Sequence, residues 1–104
     1  MTIKKWEIYW ANVKFEDSSE IKRRPVLIIN SSNALVVSLK MTSQCRGDIP
    51  PEYVVREWQE AGLPKPTYVR HDRVIQLKAS DLDEKIGKLT ERDQLLLSFR
   101  LIPF

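Results

Sequence analysis

Pro25-Val26-Leu27-Ile28-Ile29 is a continuous apolar run, Asn30-Ser31-Ser32-Asn33 a cluster of turn-forming residues, and Ala34-Leu35-Val36-Val37-Ser38-Leu39 a second run rich in aliphatic and β-branched side chains. Apolar runs this short, bounded by turn residues, read as buried strands rather than core helices. Asparagine and serine favour the turn because their short side chains hydrogen-bond the local backbone. The stretch is therefore predicted as a hairpin of two paired strands.

The flanks extend the pattern. Residues 6–15 are rich in aromatic and β-branched side chains and read as a strand, with an irregularity near Ala11 where the alternation shifts, followed by a polar loop over residues 16–20. After the hairpin comes a polar, basic connection over residues 42–48, ended by Pro50-Pro51. Residues 53–61 are predicted as a helix: Val54, Trp58 and Ala61 fall at three-to-four spacing, and Gly62 stands where a helix-ending glycine belongs. Leu63-Pro64-Lys65-Pro66 cannot continue it. Residues 67–72 and 74–77 read as strand, and Ser80-Asp81-Leu82 as a short helical turn. Thr90-Glu91-Arg92-Asp93 is a capping sequence, with Thr90 placed to cap the N3 amide of a terminal helix carrying Leu95, Leu96, Phe99 and Leu101. The expected fold is mainly β (α+β): a small antiparallel barrel with a few short helices and a C-terminal helix. Trp6 and Trp10 belong either to the barrel core or to a partly exposed face used in dimerisation.

Composition limits the chemistry. The 104 residues suit a single domain, 1–104, and 42% hydrophobic with 30% charged residues is a globular composition. The net charge of +3 permits a local basic patch but not a histone-like tail. A single cysteine, Cys45, and a single histidine, His71, exclude an intrachain disulfide, a multi-cysteine zinc site and a histidine-rich metal site. No cofactor or metal is called for. The charged start lacks an apolar segment behind it, and no run approaches the ~18 apolar residues of a membrane helix. The expected location is the cytoplasm, away from membranes.

Three clusters can carry chemistry. Lys22-Arg23-Arg24 precedes Pro25, which biases Arg24 toward extended backbone. A planar guanidinium at a strand entrance suits a phosphate, and a solvated basic cluster is the plainer reading. Thr42-Ser43 end the second hairpin strand, where hydroxyls either donate to a phosphate oxygen or cap a turn. Tyr68-Val69-Arg70-His71-Asp72-Arg73 is the densest polar group. Strand alternation places Tyr68, Arg70 and Asp72 on one face and Val69, His71 and Arg73 on the other. Arg70 and Asp72 form either an acid/base and charge-stabilising pair or an ordinary ion pair. His71, on the other face, does not join them, and Cys45 has no adjacent histidine to activate it.

Taken in order, the aromatic strand, the polar loop, Arg24-Pro25-Val26-Leu27-Ile28-Ile29, the strand ending in Thr42-Ser43, and the stretch from Tyr68 resemble the PemK/MazF toxins of bacterial type II toxin–antitoxin pairs. Ala61-Gly62-Leu63-Pro64-Lys65-Pro66-Thr67-Tyr68-Val69-Arg70 is similar to a signature of one branch, and Ile75-Gln76-Leu77 with Ile86-Gly87-Lys88-Leu89 to the family's closing segment. The resemblance implies an SH3-like barrel, usually a homodimer, and a metal-independent endoribonuclease cutting single-stranded RNA, usually mRNA, at short sequences. The products would be a 2′,3′-cyclic phosphate or 3′-phosphate and a 5′-hydroxyl. It implies catalytic roles for Arg24, Thr42, Arg70 and Asp72. Arg24 would stabilise the phosphate, Asp72 would act as base and Arg70 as acid. Ser43, Lys22, Arg23, Lys65, Tyr68 and Arg73 are the expected substrate contacts. A cognate antitoxin, acidic at its binding segment, is the expected partner.

The chain departs from the family pattern in three places. Trp6-Glu7 stand where many members have Gly-Asp, residues 16–20 contain no histidine, and residues 53–61 replace a simple hairpin. Two further readings come from other classes: a non-enzymatic barrel that binds a protein target such as DNA gyrase, and an RNA-binding barrel without cleavage.

Overall fold

The hairpin is present. Strands β2 (Ile21–Ser31) and β3 (Val36–Thr42) pair antiparallel, with Leu27 opposite Leu39 and Val26 opposite Lys40, in a computed structural model that describes residues 2–14, 21–32, 35–43 and 52–101. Around it lie β1 (Glu7–Lys14), β4 (Glu52–Val54), β5 (Tyr68–Leu77), a 3-10 turn (Ala79–Asp81), β6 (Leu82–Lys88) and helix α1 (Glu91–Leu101). All neighbours are antiparallel, in the order β4-β5-β3-β2-β1-β6. The expected loop at residues 16–20, Asn33, Ala34 and the connection from Gln44 to Pro51, with Cys45, lie outside the described residues.

The mainly β expectation holds, with corrections. The six strands form an open sheet, not a closed barrel, since β4 and β6 stand at opposite ends of the order. A turn bridges those ends: the Lys88 amide donates to the Ala61 carbonyl at 3.2 Å. Two glycines permit the approach. A Cβ on Gly87 would sit 1.8 Å from the Ala61 carbonyl oxygen, and Gly62 has φ +94° with the Ile86 carbonyl oxygen 2.6 Å from its Cβ position.

The helix expected over residues 53–61 is replaced by strand β4 and a single helical turn. Tyr53 and Val55 are buried in alternation with exposed Val54, the strand period. The apparent helical spacing reflects only the turn that follows. There the Ala61 amide donates to the Glu57 carbonyl, Gly62 to Gln59 and Leu63 to Trp58. The last two bonds form the glycine-ended pattern read at Gly62.

Strand β6 was not expected, because Asp83, Glu84, Lys85 and Gly87 have weak strand preference; it is tolerated as a sheet edge. Strand β2 starts at Ile21 rather than Pro25. Beyond Val26 its recorded partner is β1 alone, so a proline fits there without breaking a ladder on both sides. The irregularity near Ala11 appears as register shifts between β1 and β6. Trp6 adopts φ +76°, a conformation in which glycine is unstrained, at the position where the resembling family often has glycine.

Alternation along these strands sorts the core into two clusters. Ile8, Leu27, Leu39, Met41, Tyr53 and Val69 share one face with Leu97 of α1. Tyr9, Ala11, Val13, Val26, Ile28 and Val36 occupy the other. Asp93 on α1, fully buried, ties the helix to the turn: it accepts from the Tyr53 hydroxyl at 2.5 Å and the Arg56 and Glu57 amides at 3.0 and 2.8 Å. The Thr90 hydroxyl, expected as a helix cap, donates to Glu57 Oε1.

Candidate active site

The same alternation places the functional candidates. Even-numbered residues of β2 and β3 share the face of Val26 and Val36, so Lys22, Arg24, Lys40 and Thr42 lie there. Register carries the face across β5 and β4: Lys40 is opposite Arg70, Thr42 opposite Tyr68, Arg70 opposite Glu52, and Tyr68 opposite Val54. Arg24 and Thr42 stand two residues beyond the Val26–Lys40 pair on their strands, so both fall on the face of Val26 and Lys40. Arg24, Thr42, Tyr68 and Arg70 thus lie on one face.

Asp72 joins this group through hydrogen bonds. Arg70 Nε donates to Asp72 Oδ1 and Nη2 to Oδ2, both at 3.1 Å, a bidentate pair. The Arg70 side chain is 6% exposed and that of Asp72 37%, so the guanidinium is sunk while the carboxylate reaches solvent. Register between β3 and β5 jumps from Lys40–Arg70 to Leu39–Val74, so residues 71–73 form a bulge. Bulges re-aim side chains, and this one holds Asp72 beside Arg70. Burial of Asp72 favours its neutral form. Hydrogen bonding and charge from Arg70, with help from its own backbone and Arg73, outweigh this and hold the carboxyl below the usual range. At neutral pH Asp72 is an anion able to accept a proton.

Other candidates are placed differently. Arg23 turns to the opposite face, where its guanidinium lies 4.7 Å from the Trp10 ring and its Nε 3.2 Å from Asp83 Oδ2. Arg73 lies at the rim, with Nε 4.0 Å from Asp72 Oδ2. His71 is half-buried in the bulge. Ser43 is exposed just past β3, and Lys65 is exposed on the segment entering β5. Trp6 packs partly buried against the first core cluster, and Trp10 is half-buried beneath Arg23. Two site neighbours escaped the sequence reading, half-buried Lys40 and buried Glu52. Alternation back from Thr42 is a signal for Lys40; Glu52 needs the β4–β5 register.

Comparison with known proteins bears on this arrangement. The family model described as PemK-like, MazF-like toxin of type II toxin–antitoxin system matches residues 4–102. The chain belongs to this toxin family. Its relatives include Endoribonuclease MazF6 of Mycobacterium tuberculosis and Endoribonuclease MazF2 of Mycobacterium bovis, each 30% identical over 96 residues, covering 86% of this chain and 84% of the relative. Among solved structures, the Mycobacterium tuberculosis toxin MazF-mt6 superposes with a TM-score of 0.71 at 26% identity, over 89% of both chains. A mycobacterial endoribonuclease solved with its cognate antitoxin has a TM-score of 0.73 over 99% of both chains at 18% identity, a likeness of fold. This MazF-family toxin therefore shares its overall fold with them.

Proposed function

We propose that this toxin is an endoribonuclease that cleaves single-stranded RNA without a metal. The observation that carries the reading is the bidentate Arg70–Asp72 pair on the face shared by Arg24 and Thr42, in a chain whose named relatives are endoribonucleases. RNA supplies its own nucleophile, the 2′-hydroxyl, so the protein needs a base, an acid and positive charge for the phosphorane. Asp72, ionised and partly exposed, accepts the 2′-hydroxyl proton. Arg24, exposed on this face, and the Thr42 hydroxyl hold the phosphate oxygens. Arg70 orients Asp72 and adds charge. Lys22, Ser43, Tyr68, Arg73 and Lys65 contact the flanking nucleotides, with Tyr68 offering a stacking face. Arg23, bound to Asp83 and Trp10, takes no part in this scheme.

The toxin acts in the cytoplasm as a homodimer, restrained by a cognate antitoxin whose acidic segment covers the basic face. The gyrase-binding reading has no comparable support, because that role requires no Arg–Asp pair beside a phosphate-binding arginine. Purified toxin incubated with long single-stranded RNAs in EDTA is expected to give discrete fragments with 5′-hydroxyl ends. RNA left intact across varied sequences by folded protein would remove the reading, and tight binding without scission would replace it with an inactive RNA-binding barrel.

A further inference from the structure

The proposed reaction has a base but lacks an obvious proton donor for the departing 5′-oxygen. Arg70 is a poor donor: a guanidinium keeps its proton throughout the physiological range, and two of its N–H groups are committed to Asp72. Asp72 is ionised and has no proton to give. Lys40 is an ammonium placed beside this pair by strand register. It is the cross-strand partner of Arg70 on one side and of Val26 on the other, and the next side chain on its face is Thr42. Adjacent strands lie ~4.8 Å apart and same-face neighbours along a strand ~6.6 Å apart. Lys40 therefore stands between Arg70, Thr42 and Arg24, on a flexible stem and half-buried.

We propose that Lys40 is the general acid, an assignment that rests on the endoribonuclease reading. The 2′-oxygen forms its bond to phosphorus as its proton passes to Asp72. The bond from phosphorus to the 5′-oxygen breaks, and that oxygen takes a proton from Lys40 Nζ. The cyclic phosphate and the 5′-hydroxyl leave. Asp72 then loses its proton to water and Lys40 regains one.

Leaving-group chemistry tests the assignment. Once a cleavage site is mapped on long RNA, two oligonucleotides carrying it are compared, one ordinary and one with sulfur replacing the bridging 5′-oxygen. A thiolate departs without protonation, its conjugate acid having a pKa of ~8.5. Lys40→Met is expected to slow cleavage of the oxygen substrate ~10²-fold or more, the usual worth of a general acid, and to leave the sulfur substrate nearly as fast as with wild type. Lys40→Arg, which keeps the charge but withholds the proton, is expected to show the same selective loss, and it checks the role should Lys40→Met fold poorly. Equal losses on both substrates, full activity of Lys40→Arg, or a selective loss in Tyr68→Phe instead would overturn the assignment. Wild-type toxin that cuts neither substrate, nor any long RNA, would fail the endoribonuclease reading itself.

Discussion

The two faces of the sheet hold the same kind of group in opposite ways. On the helix-covered face, Asp93 is fully buried and answered by two amides and a phenol. On the other face, Asp72 is held by the bidentate Arg70, with Arg73 at 4.0 Å, and remains 37% exposed. The first carboxylate has its hydrogen-bonding needs met by fixed groups of the fold, so it joins the helix to the turn. The second keeps an open side and a charged partner, so it is available to a ligand. An apolar cluster lies on each face, and the second face also carries Lys22, Arg24, Lys40 and Arg70.

Asp93→Ala should give the largest effect. It strands two buried amides and the Tyr53 hydroxyl, and mutations of this kind cost about 3–5 kcal/mol. Urea unfolding would check it; a loss below about 1 kcal/mol would mean that Asp93 and Asp72 differ less than their surroundings indicate.

Arg24→Ala should do the reverse. Cleavage and growth inhibition fall ~10²–10³-fold, the scale for removing one transition-state charge partner. Stability should change by under about 0.5 kcal/mol, because the side chain is exposed. Retained toxicity at wild-type expression would take Arg24 out of the site.

Gly87→Ala tests the bridge that stands in for barrel closure. The added methyl meets a backbone oxygen at 1.8 Å, so the turn or β6 must move, at a cost of about 1–3 kcal/mol. A chemical-denaturation midpoint equal to wild type would show that the two ends of the sheet do not depend on this contact.

The sequence carried the hairpin because it follows from local alternation, and it named the Arg70–Asp72 pair, which the structure forms at a bulge. It carried Gly62 because a positive φ has a residue preference. Strand β6 was hidden: its charges suit an edge, and an edge strand lacks the apolar run that marks a central one. The bulge at residues 71–73 was hidden because it is a mismatch between two strands, not a property of either. Glu52 was hidden for the same reason, since register places it beside Arg70, whereas Lys40 was within reach of alternation back from Thr42. Arg23 and Arg24 are alike in sequence, and only pairing shows that they face opposite ways.

The pH dependence sharpens the contrast between the carboxylates. Asp72 titrates below its unfolded value of about 3.9, so its contribution to stability is present above that pH and lost as pH falls through the lower folded value. As base, it should keep cleavage free of an acid limb between about pH 5 and 8. An acid limb centred near 6 to 7 in initial rates would assign the base to a group other than Asp72.

Arg23→Ala gives the smallest effect and the closest comparison, one residue away from Arg24. Arg23 lies over Trp10 and pairs with Asp83, both contacts near solvent, with side chains 44% and 49% exposed for the ion pair. Exposed pairs of this kind contribute about 0–1 kcal/mol, and an exposed cation–π contact about 0.5–1 kcal/mol. The variant should therefore unfold slightly earlier in urea while cleaving RNA within about threefold of wild type, a change worth under 1 kcal/mol. Its RNA affinity should fall with salt as steeply as that of wild type, because a cation on the far face releases no counterion from the substrate. A shallower salt slope would place Arg23 against the phosphates and remove the division between faces on which the site assignment rests.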